Sequence, residues 1–261
     1  MNALERVAPR LVWRRRISAW NLDTGEAEER LLHWACNRRK ISIDVGAAAG
    51  TYSARLLLFS SRVVAFEPHP KAAQDLRRLF RWSRILAVEQ VALSNDVGVA
   101  VLRAPPDRPM LSTIEGNNCL LETAVDCVSV KRARLDDYCL SPVGFIKIDA
   151  EGHEAAILAG AERTIERDHP TLLIEIEDRH NPGSLARVSA FLGTLTYTGY
   201  FLLGDRLVDI RFFDPDAHQN RKNLACGGRT GTYINNFIFL PRDRLNSIPL
   251  KVESGTGDNY V

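Results

Sequence analysis

The chain has 261 residues, of which 45% are hydrophobic and 25% are charged, and its formal net charge is +2. This length suits one large α/β domain or two small ones, and the small net charge predicts neither a nucleic-acid partner nor a membrane surface. No run reaches the ~18 apolar residues of a membrane span, and no secretory signal is expected. The five cysteines are odd in number and lack C-x-x-C spacing, which predicts reduced thiols and a cytoplasmic protein.

The hydrophobic pattern divides the chain into a helical lead-in, 1–40, a main domain, 41–241, and a fraying tail, 242–261. Apolar or alternating runs predict strands at about 41–45, 62–66, 85–91, 97–102, 125–130, 145–148, 172–176, 200–203 and 234–240. Amphipathic helices are predicted within the lead-in and after four of the strands. Because strands alternate with helices and no linker is visible, we expect one α/β domain with a mostly parallel, doubly wound sheet. The last two strands are expected to pair antiparallel at the sheet edge.

A long loop is predicted over 104–123, which contains three prolines, Gly116 and two asparagines. Long loops in compact domains often carry function. Ser112, Thr113, Asn117 and Asn118 would suit a polyhydroxylated ligand, so this loop is the candidate substrate lid. Alternatively, the segment is a surface loop with no role in substrate binding.

Two acids and a glycine turn mark the most informative part of the sequence. Asp44 lies in the first strand, the turn runs from Gly46 to Gly50, and Glu67 ends the second strand. Such a sheet edge binds a nucleoside cofactor. The turn lacks the G-x-G-x-x-G of dinucleotide sites, and a carboxylate at Asp44 would repel a pyrophosphate. S-adenosylmethionine, with its cationic sulfonium, therefore fits better than NAD, and Glu67 could accept both ribose hydroxyls.

Several short motifs accompany this turn. They are Asp44-Val45-Gly46-Ala47, Ala65-Phe66-Glu67-Pro68, Ala92-Leu93-Ser94, Leu135-Asp136-Asp137-Tyr138, Ile146-Lys147-Ile148-Asp149-Ala150-Glu151-Gly152-His153-Glu154, Pro170 to Glu175 and Asn236-Phe237-Ile238-Phe239. Taken together, over about residues 41–240, the chain resembles the FkbM-type methyltransferase family. The resemblance implies a Rossmann-like class I fold, with a seven-stranded sheet whose last strand is antiparallel. It also implies S-adenosylmethionine as cofactor and methyl transfer usually to oxygen.

The resemblance also implies a set of cofactor-binding residues. They are Asp44, Gly46, Ala47, Gly50, Tyr52, Ser53, Glu67, Pro68, Ala92 and Asp149, with Val91 to Leu93 beside the adenine. One position departs from the family, because Ala48 stands where the family commonly has asparagine. This change raises the question of how the turn is held, although backbone contacts would survive it.

Proton removal from an acceptor hydroxyl needs a base within reach. The candidates are Asp149, Glu151 and His153, of which Asp149 is the strongest because strand-tip acids face the ligand crevice. For the acids of the following helix start, Glu151 and Glu154, the alternative is favourable interaction with the helix dipole. His153 could equally be an exposed residue of the first turn.

A cation site is a further alternative that the residues leave open. Asp149, Glu177 and Asp178 could bring three oxygen ligands to Mg²⁺, which would acidify a substrate hydroxyl. The family resemblance does not imply a metal, and Glu177 and Asp178 could instead form a solvated acidic loop.

The sequence therefore predicts an S-adenosylmethionine-dependent methyltransferase that acts on a hydroxyl of a saccharide or secondary metabolite. Two alternatives from other classes remain at this point: an NAD-type oxidoreductase, and a non-catalytic module that keeps the methyltransferase fold and binds a partner.

Overall fold

The computed structural model describes residues 26–104, 112–115, 126–179, 181–225, 228–229, 232–247 and 250–253. The strands are β1 Ile41–Val45, β2 Arg62–Phe66, β3 Leu86–Glu89, β4 Ala92–Leu93, β5 Gly98–Ala104, β6 Asp126–Ala133, β7 Val143–Ile148, β8 Thr171–Glu175, β9 Tyr197–Leu203, β10 Arg206–Asp209, β11 Leu224–Ala225, β12 Gly228–Arg229, β13 Asn236–Pro241 and β14 Lys251–Glu253. The α-helices are α1 Leu32–Ala35, α2 Thr51–Leu56, α3 Pro70–Leu79, α4 Glu154–Ala159, α5 Glu162–Asp168, α6 Ser184–Thr194 and α7 Pro215–His218. Short 3₁₀ helices lie at Ala27–Leu31, Leu135–Tyr138, Ile210–Phe212, Arg221–Asn223 and Arg242–Ser247.

The central sheet confirms the predicted doubly wound α/β class. Among the described residues it has nine strands, in the order β14-β10-β9-β13-β8-β7-β1-β2-β3. The strands from β3 to β8 in this order are parallel, and β13 runs antiparallel to both of its neighbours. Because parallel strands share one carboxyl edge, the ends of β1, β2 and β7 meet there.

The sheet departs from the prediction at its far edge. The strand predicted at 234–240 is β13, and it lies between β8 and β9 rather than at the edge. All six residues of β13 are buried, as suits an interior strand. The main sheet exceeds the seven strands that the family resemblance implied. Strand β10 joins β9 through the two-residue turn Gly204-Asp205, and β14 pairs with β10. The tail therefore contributes a strand where the sequence predicted fraying.

A smaller sheet, in the order β4-β6-β5, stands beside the main one. It includes the two extra strands predicted near 97–102 and 125–130. A bridge between Arg103 and Thr113 attaches the segment 112–115 to it. The rest of the predicted substrate loop, including Asn117 and Asn118, lies outside the described residues, as do 1–25, His180 and 254–261.

The core lies on both faces of the main sheet. On one face, helices α4, α5 and α6 pack against β7 and β8. On the other, Leu31 and Leu32 of the lead-in share a buried cluster with Phe145 and Ile238. The described part of the lead-in thus packs on the core of the main domain. Among the residues that the structure describes, no helix combines the length and apolar character of a membrane span.

The Leu135–Tyr138 motif has a structural role. The buried carboxylate of Asp136 accepts hydrogen bonds from the backbone N–H groups of Arg163 and Thr164, at 3.1 and 2.9 Å, and from the Thr164 hydroxyl at 2.8 Å. It thereby satisfies N–H groups at the start of α5, which would otherwise lack partners.

We expect Asp136→Ala to lower the free energy of unfolding by about 2–3 kcal/mol, because buried donors lose a charged acceptor. Urea denaturation measures this loss. The control is Asp137→Ala, since the neighbouring carboxylate is half exposed and contacts Arg163 only at 3.6 Å. Equal losses in the two variants would contradict the assigned role of Asp136.

Candidate active site

The glycine turn lies against the end of β7. Gly46 has a φ of +76°, and a Cβ atom added to it would stand 1.8 Å from the carbonyl oxygen of Asp149. Its N–H donates to Phe66 O at 2.9 Å, which ties the turn to the end of β2. At Gly50, φ is +82° and a Cβ atom would meet Leu76 and Phe80 at 2.7 Å. The first glycine therefore allows the close approach of turn and strand, and the second allows α2 to pack beside α3.

Asp44 is buried beneath this turn, with 2% of its surface exposed. The hydroxyl of Ser53 donates to its Oδ2 at 2.5 Å. Burial raises the pKa of Asp44, while the hydrogen bond from Ser53 and the charge of Lys147 oppose that shift. Ser53 thus acts on the site through Asp44 and lines neither of the two cavities described below.

Glu67 holds the turn from the neighbouring strand. Its Oε2 accepts from the backbone N–H of Ala48 and its Oε1 from that of His69, both at 2.8 Å. Burial raises the pKa of Glu67, and the two N–H donors act in the opposite direction. Ala48, which has a φ of +43°, is therefore anchored through its backbone. The turn keeps its position without the side chain that asparagine would supply.

A first cavity, of about 130 Å³, opens at the carboxyl ends of β1, β2 and β7. Its lining includes five of the predicted site residues with cofactor roles: Gly46, Glu67, Pro68, Ala92 and Asp149. Apolar side chains from Val91, Leu93, Leu102 and Ile114 complete the walls, together with Ser112, Thr113 and His153. The cavity thus has largely apolar walls, and its lining also includes the three acidic residues Glu67, Asp149 and Glu151.

A second cavity, of about 220 Å³, lies on the other side of the turn. It is lined by Glu26, Glu29, Asp44, Gly46, Ala47, Ala48, Thr51, Tyr52, Lys147 and Asp149. The two cavities share Gly46, Ala48 and Asp149. Four carboxylates against one ammonium group make the second cavity strongly acidic. Of the predicted cofactor residues, Gly50 and Ser53 line neither cavity and instead support residues that do.

Asp149 lies where the two cavities meet. Burial raises its pKa to about 7, with Lys147 opposing the shift and Glu151, Glu26 and Glu154 adding to it. A carboxyl group that ionises near neutral pH is well matched to accept a proton. The position and the ionisation of Asp149 therefore fit a general base.

Lys147 is a site residue that the sequence analysis did not assign. It is 1% exposed, donates to Asn236 Oδ1 at 3.0 Å and lies 3.7 Å from Glu175 Oε2. Burial lowers its pKa, but nearby carboxylates outweigh this and raise it, so the side chain is charged. A lysine in an otherwise apolar, buried strand was the available signal, since such a residue is rare unless paired.

Glu26 was also missed, since its position in the lead-in carries no motif. Its Oε2 accepts from the hydroxyl of Tyr52 at 2.6 Å and from Asn236 Nδ2 at 2.9 Å. The lead-in thereby contributes a carboxylate to the second cavity. The contact with Asn236 spans 210 positions of the chain, which is why no local pattern predicts it.

The other catalytic candidates have structural contacts. His153 is held between Glu115 Oε1, 2.5 Å from its Nδ1, and Ser94 Oγ, 3.0 Å from its Nε2. The backbone oxygen of Glu151 accepts from the Thr113 hydroxyl at 3.0 Å. These contacts fix the segment 112–115 over the first cavity.

Glu154 is buried and accepts from Gly152 N–H at 2.7 Å and from the Ser184 hydroxyl at 3.2 Å. It therefore joins the start of α4 to α6. This contact gives Glu154 a packing role beyond the charge complementarity with the helix dipole that the sequence suggested.

The structure does not bring Asp149, Glu177 and Asp178 together as a cation site. Glu177 pairs with Arg179 and accepts from the Tyr233 hydroxyl at 2.6 Å. The carboxylate of Asp178 accepts hydrogen bonds from the N–H of Gly183, which precedes α6, and from the N–H of Leu185 in the first turn of α6. Among the described residues, no group of three or more His, Cys, Asp and Glu side chains is placed to hold a metal ion.

Comparison with solved structures finds several methyltransferases at low identity. An FkbM methyltransferase from Methylobacillus flagellatus KT has 18% identity and a TM-score of 0.48, over 78% of this chain and 44% of that one. This chain therefore spans less than half of that protein. A precorrin-6y C5,15-methyltransferase from Geobacter metallireducens GS-15 has 10% identity and a TM-score of 0.48, over 85% and 92%. An O-methyltransferase from Bacillus cereus, solved in complex with SAH, has 14% identity and a TM-score of 0.43, over 90% and 93%.

No curated protein matches the chain. The sequence profile described as "Methyltransferase FkbM domain" matches residues 44–202, which is more than half of the chain. This segment contains the glycine turn, Glu67 and Asp149. The chain belongs to the FkbM methyltransferase family.

Proposed function

We propose that this protein transfers a methyl group from S-adenosylmethionine to a hydroxyl of a saccharide or other secondary metabolite. The observation that carries the proposal is the pair of adjoining cavities that meet at Asp149. The first has largely apolar walls with the carboxylates of Glu67, Asp149 and Glu151, and the second is lined by four carboxylates and Lys147. A ligand with an uncharged nucleoside at one end and positive groups at the other fits this division.

The first cavity supports binding of the nucleoside. Apolar walls at Val91 and Leu93 suit an adenine ring, and Glu67 lies at the end of the neighbouring strand. Each oxygen of Glu67 accepts one backbone N–H, and a carboxylate oxygen has capacity for a second bond. Glu67 can therefore hold the turn and accept the ribose hydroxyls together.

The second cavity supports binding of the positive end. Asp44, Asp149 and Glu26 line it, and buried carboxylates gain from an opposite charge nearby. The same surface opposes a dinucleotide pyrophosphate, which argues against the oxidoreductase alternative.

The cofactor supplies an electrophilic methyl group on a sulfonium. In the proposed reaction the S–CH₃ bond breaks as the acceptor oxygen forms a bond to that carbon, and the sulfur leaves as a neutral thioether. The hydroxyl proton passes to the carboxylate of Asp149. The chain contributes alignment through the turn, charge through the second cavity and proton acceptance through Asp149.

Glu67→Gln tests the cofactor site. We expect its affinity for S-adenosylhomocysteine, measured by calorimetry, to fall by about 1–3 kcal/mol, because a charged acceptor of the ribose hydroxyls is lost. Asp75→Asn is the control, since that carboxylate is exposed on α3 and pairs with the exposed Arg78. Failure of the wild type to bind would refute the cofactor, and equal affinities would refute the role of Glu67.

Methyl transfer itself is tested in cell extract. The protein is incubated with extract and S-adenosylmethionine that carries a labelled methyl group, and labelled small molecules are separated and identified. Label on a hydroxylated metabolite supports the proposal. Binding without any labelled product would favour the non-catalytic module. We further propose a cytoplasmic location, which the free thiols of Cys36, Cys127 and Cys139 support.

A further inference from the structure

Four side chains, three from different helices and strands and one from the lead-in, form a closed ring on the wall of the second cavity. Tyr52 donates to Glu26 at 2.6 Å, Asn236 donates to the same oxygen at 2.9 Å, and Lys147 donates to Asn236 at 3.0 Å. The ammonium of Lys147 lies over the Tyr52 ring, 5.2 Å from its centroid, which completes the ring. Tyr52 comes from α2, Lys147 from β7 and Asn236 from β13.

The ring fixes the orientation of each member. The amide nitrogen of Asn236 donates to Glu26, and the amide oxygen accepts from Lys147. A flip of this amide would break both charge-assisted hydrogen bonds. Asn236 and Lys147 are each 1% exposed. Glu26 and Asn236 both lie outside the segment 44–202 that matches the family. The ring therefore joins Tyr52 and Lys147 of the matched segment to two residues outside it.

The ring places two opposite charges on the cavity. Both hydrogen bonds of Glu26 use Oε2, and within the described part of the chain Oε1 remains available to a ligand. Lys147 lines the same cavity with its positive charge. A cation in the cavity is attracted by Glu26 and repelled by Lys147, whereas a neutral group responds weakly to both.

We propose that Glu26 and Lys147 are specificity-determining residues that set how strongly the site prefers the sulfonium substrate over its thioether product. The proposal rests on the proposed function and adds to it a role for Glu26 and Lys147 in distinguishing substrate from product. Substrate and product differ at the sulfur by one methyl group and one positive charge. Glu26 favours the charged form, and Lys147 limits this preference so that the site also accommodates the neutral form.

The preference has a consequence for turnover. Methyl transfer removes the positive charge from the sulfur, so the attraction to Glu26 is lost when the product forms. The lead-in thus helps the site to retain substrate and release product. Because the ring holds Glu26 by two hydrogen bonds, its carboxylate stays in place during this change.

The test compares affinities for S-adenosylmethionine and S-adenosylhomocysteine by calorimetry and uses their ratio. We expect Glu26→Gln to lower the preference for S-adenosylmethionine at least about threefold, the scale of one partly screened charge several ångströms away. Lys147→Met should raise the preference by a similar factor. Glu166→Gln, which removes an exposed carboxylate from α5, should leave the ratio unchanged.

Lys147 is buried, so its variant could fail to fold, and thermal denaturation is measured for each protein. If Lys147→Met is unfolded, the affinity ratios of Glu26→Gln and Tyr52→Phe test the proposal instead. Tyr52→Phe keeps every charge but releases Glu26, and we expect a smaller fall in the same ratio. If the wild type binds neither ligand, the proposed function fails. If both ligands bind and Glu26→Gln leaves the ratio unchanged, the inference about the ring is overturned.

Discussion

Gly46→Ala is expected to abolish binding of S-adenosylhomocysteine and to lower the free energy of unfolding by about 2–5 kcal/mol. Two effects add at this position. Alanine is strained at a φ of +76°, and its Cβ would stand 1.8 Å from the backbone oxygen of Asp149. Backbone cannot rotate away, so either the turn or the end of β7 must move. Since both cavities share Gly46 and Asp149, any such movement changes both.

Gly204→Ala separates the two effects. Gly204 also has a positive φ, of +59°, but a Cβ atom there would meet nothing within 4 Å. Only the backbone strain applies, so we expect a loss of about 1 kcal/mol and unchanged affinity. Denaturant unfolding and calorimetry measure both quantities. If Gly46→Ala behaves like Gly204→Ala, the close approach of the turn to β7 is not needed for binding.

The sequence predicts the parts of the fold that local patterns encode. The alternating apolar residues Ile41, Ile43 and Val45 and the glycines after them predict β1 and the turn, because both depend on residues adjacent in the chain. The place of β13 could not be predicted in this way. A strand's neighbours depend on packing across the whole domain, so an apolar run such as Phe237 to Phe239 shows burial but not position. The turn Gly204-Asp205 did carry a hairpin signal, and it was missed.

The residues of the candidate site likewise divide into those that local sequence patterns predict and those that they do not. Asp44, Glu67 and Asp149 are predictable because each acid lies at the end of a strand in a parallel sheet. Glu26 and Asn236 are not, since their contact joins the two ends of the chain. The sequence offered Asp149, Glu177 and Asp178 as ligands of a shared cation. In the structure Glu177 pairs with Arg179 and Tyr233, and Asp178 accepts from backbone N–H groups next to α6. Such pairing competes with a metal ion and cannot be predicted from the spacing of the acids.

Asp149→Asn should lower the rate of methyl transfer by about 10²–10⁴-fold, whereas its affinity for S-adenosylhomocysteine should fall far less, because Asp44 and Glu26 still line the second cavity. The amide keeps the shape of the carboxylate but cannot take the hydroxyl proton. In the wild type, the pKa near 7 predicts that the rate rises with pH through about 7 and then levels. The variant should lack this rise. Incorporation of labelled methyl at pH 5.5 to 9 measures both effects.

The stability of the Asp149→Asn variant distinguishes a catalytic role of Asp149 from a structural role. Burial raises the pKa of this carboxyl from 3.8 to about 7, so ionisation opposes folding. The penalty is absent below the unfolded pKa, grows between the two values and is complete above about pH 7. Asp149→Asn should therefore be at least as stable as the wild type at pH 8 while being far less active. A variant that keeps its activity would instead point to His153 as the base, held between Glu115 and Ser94 at the neighbouring wall.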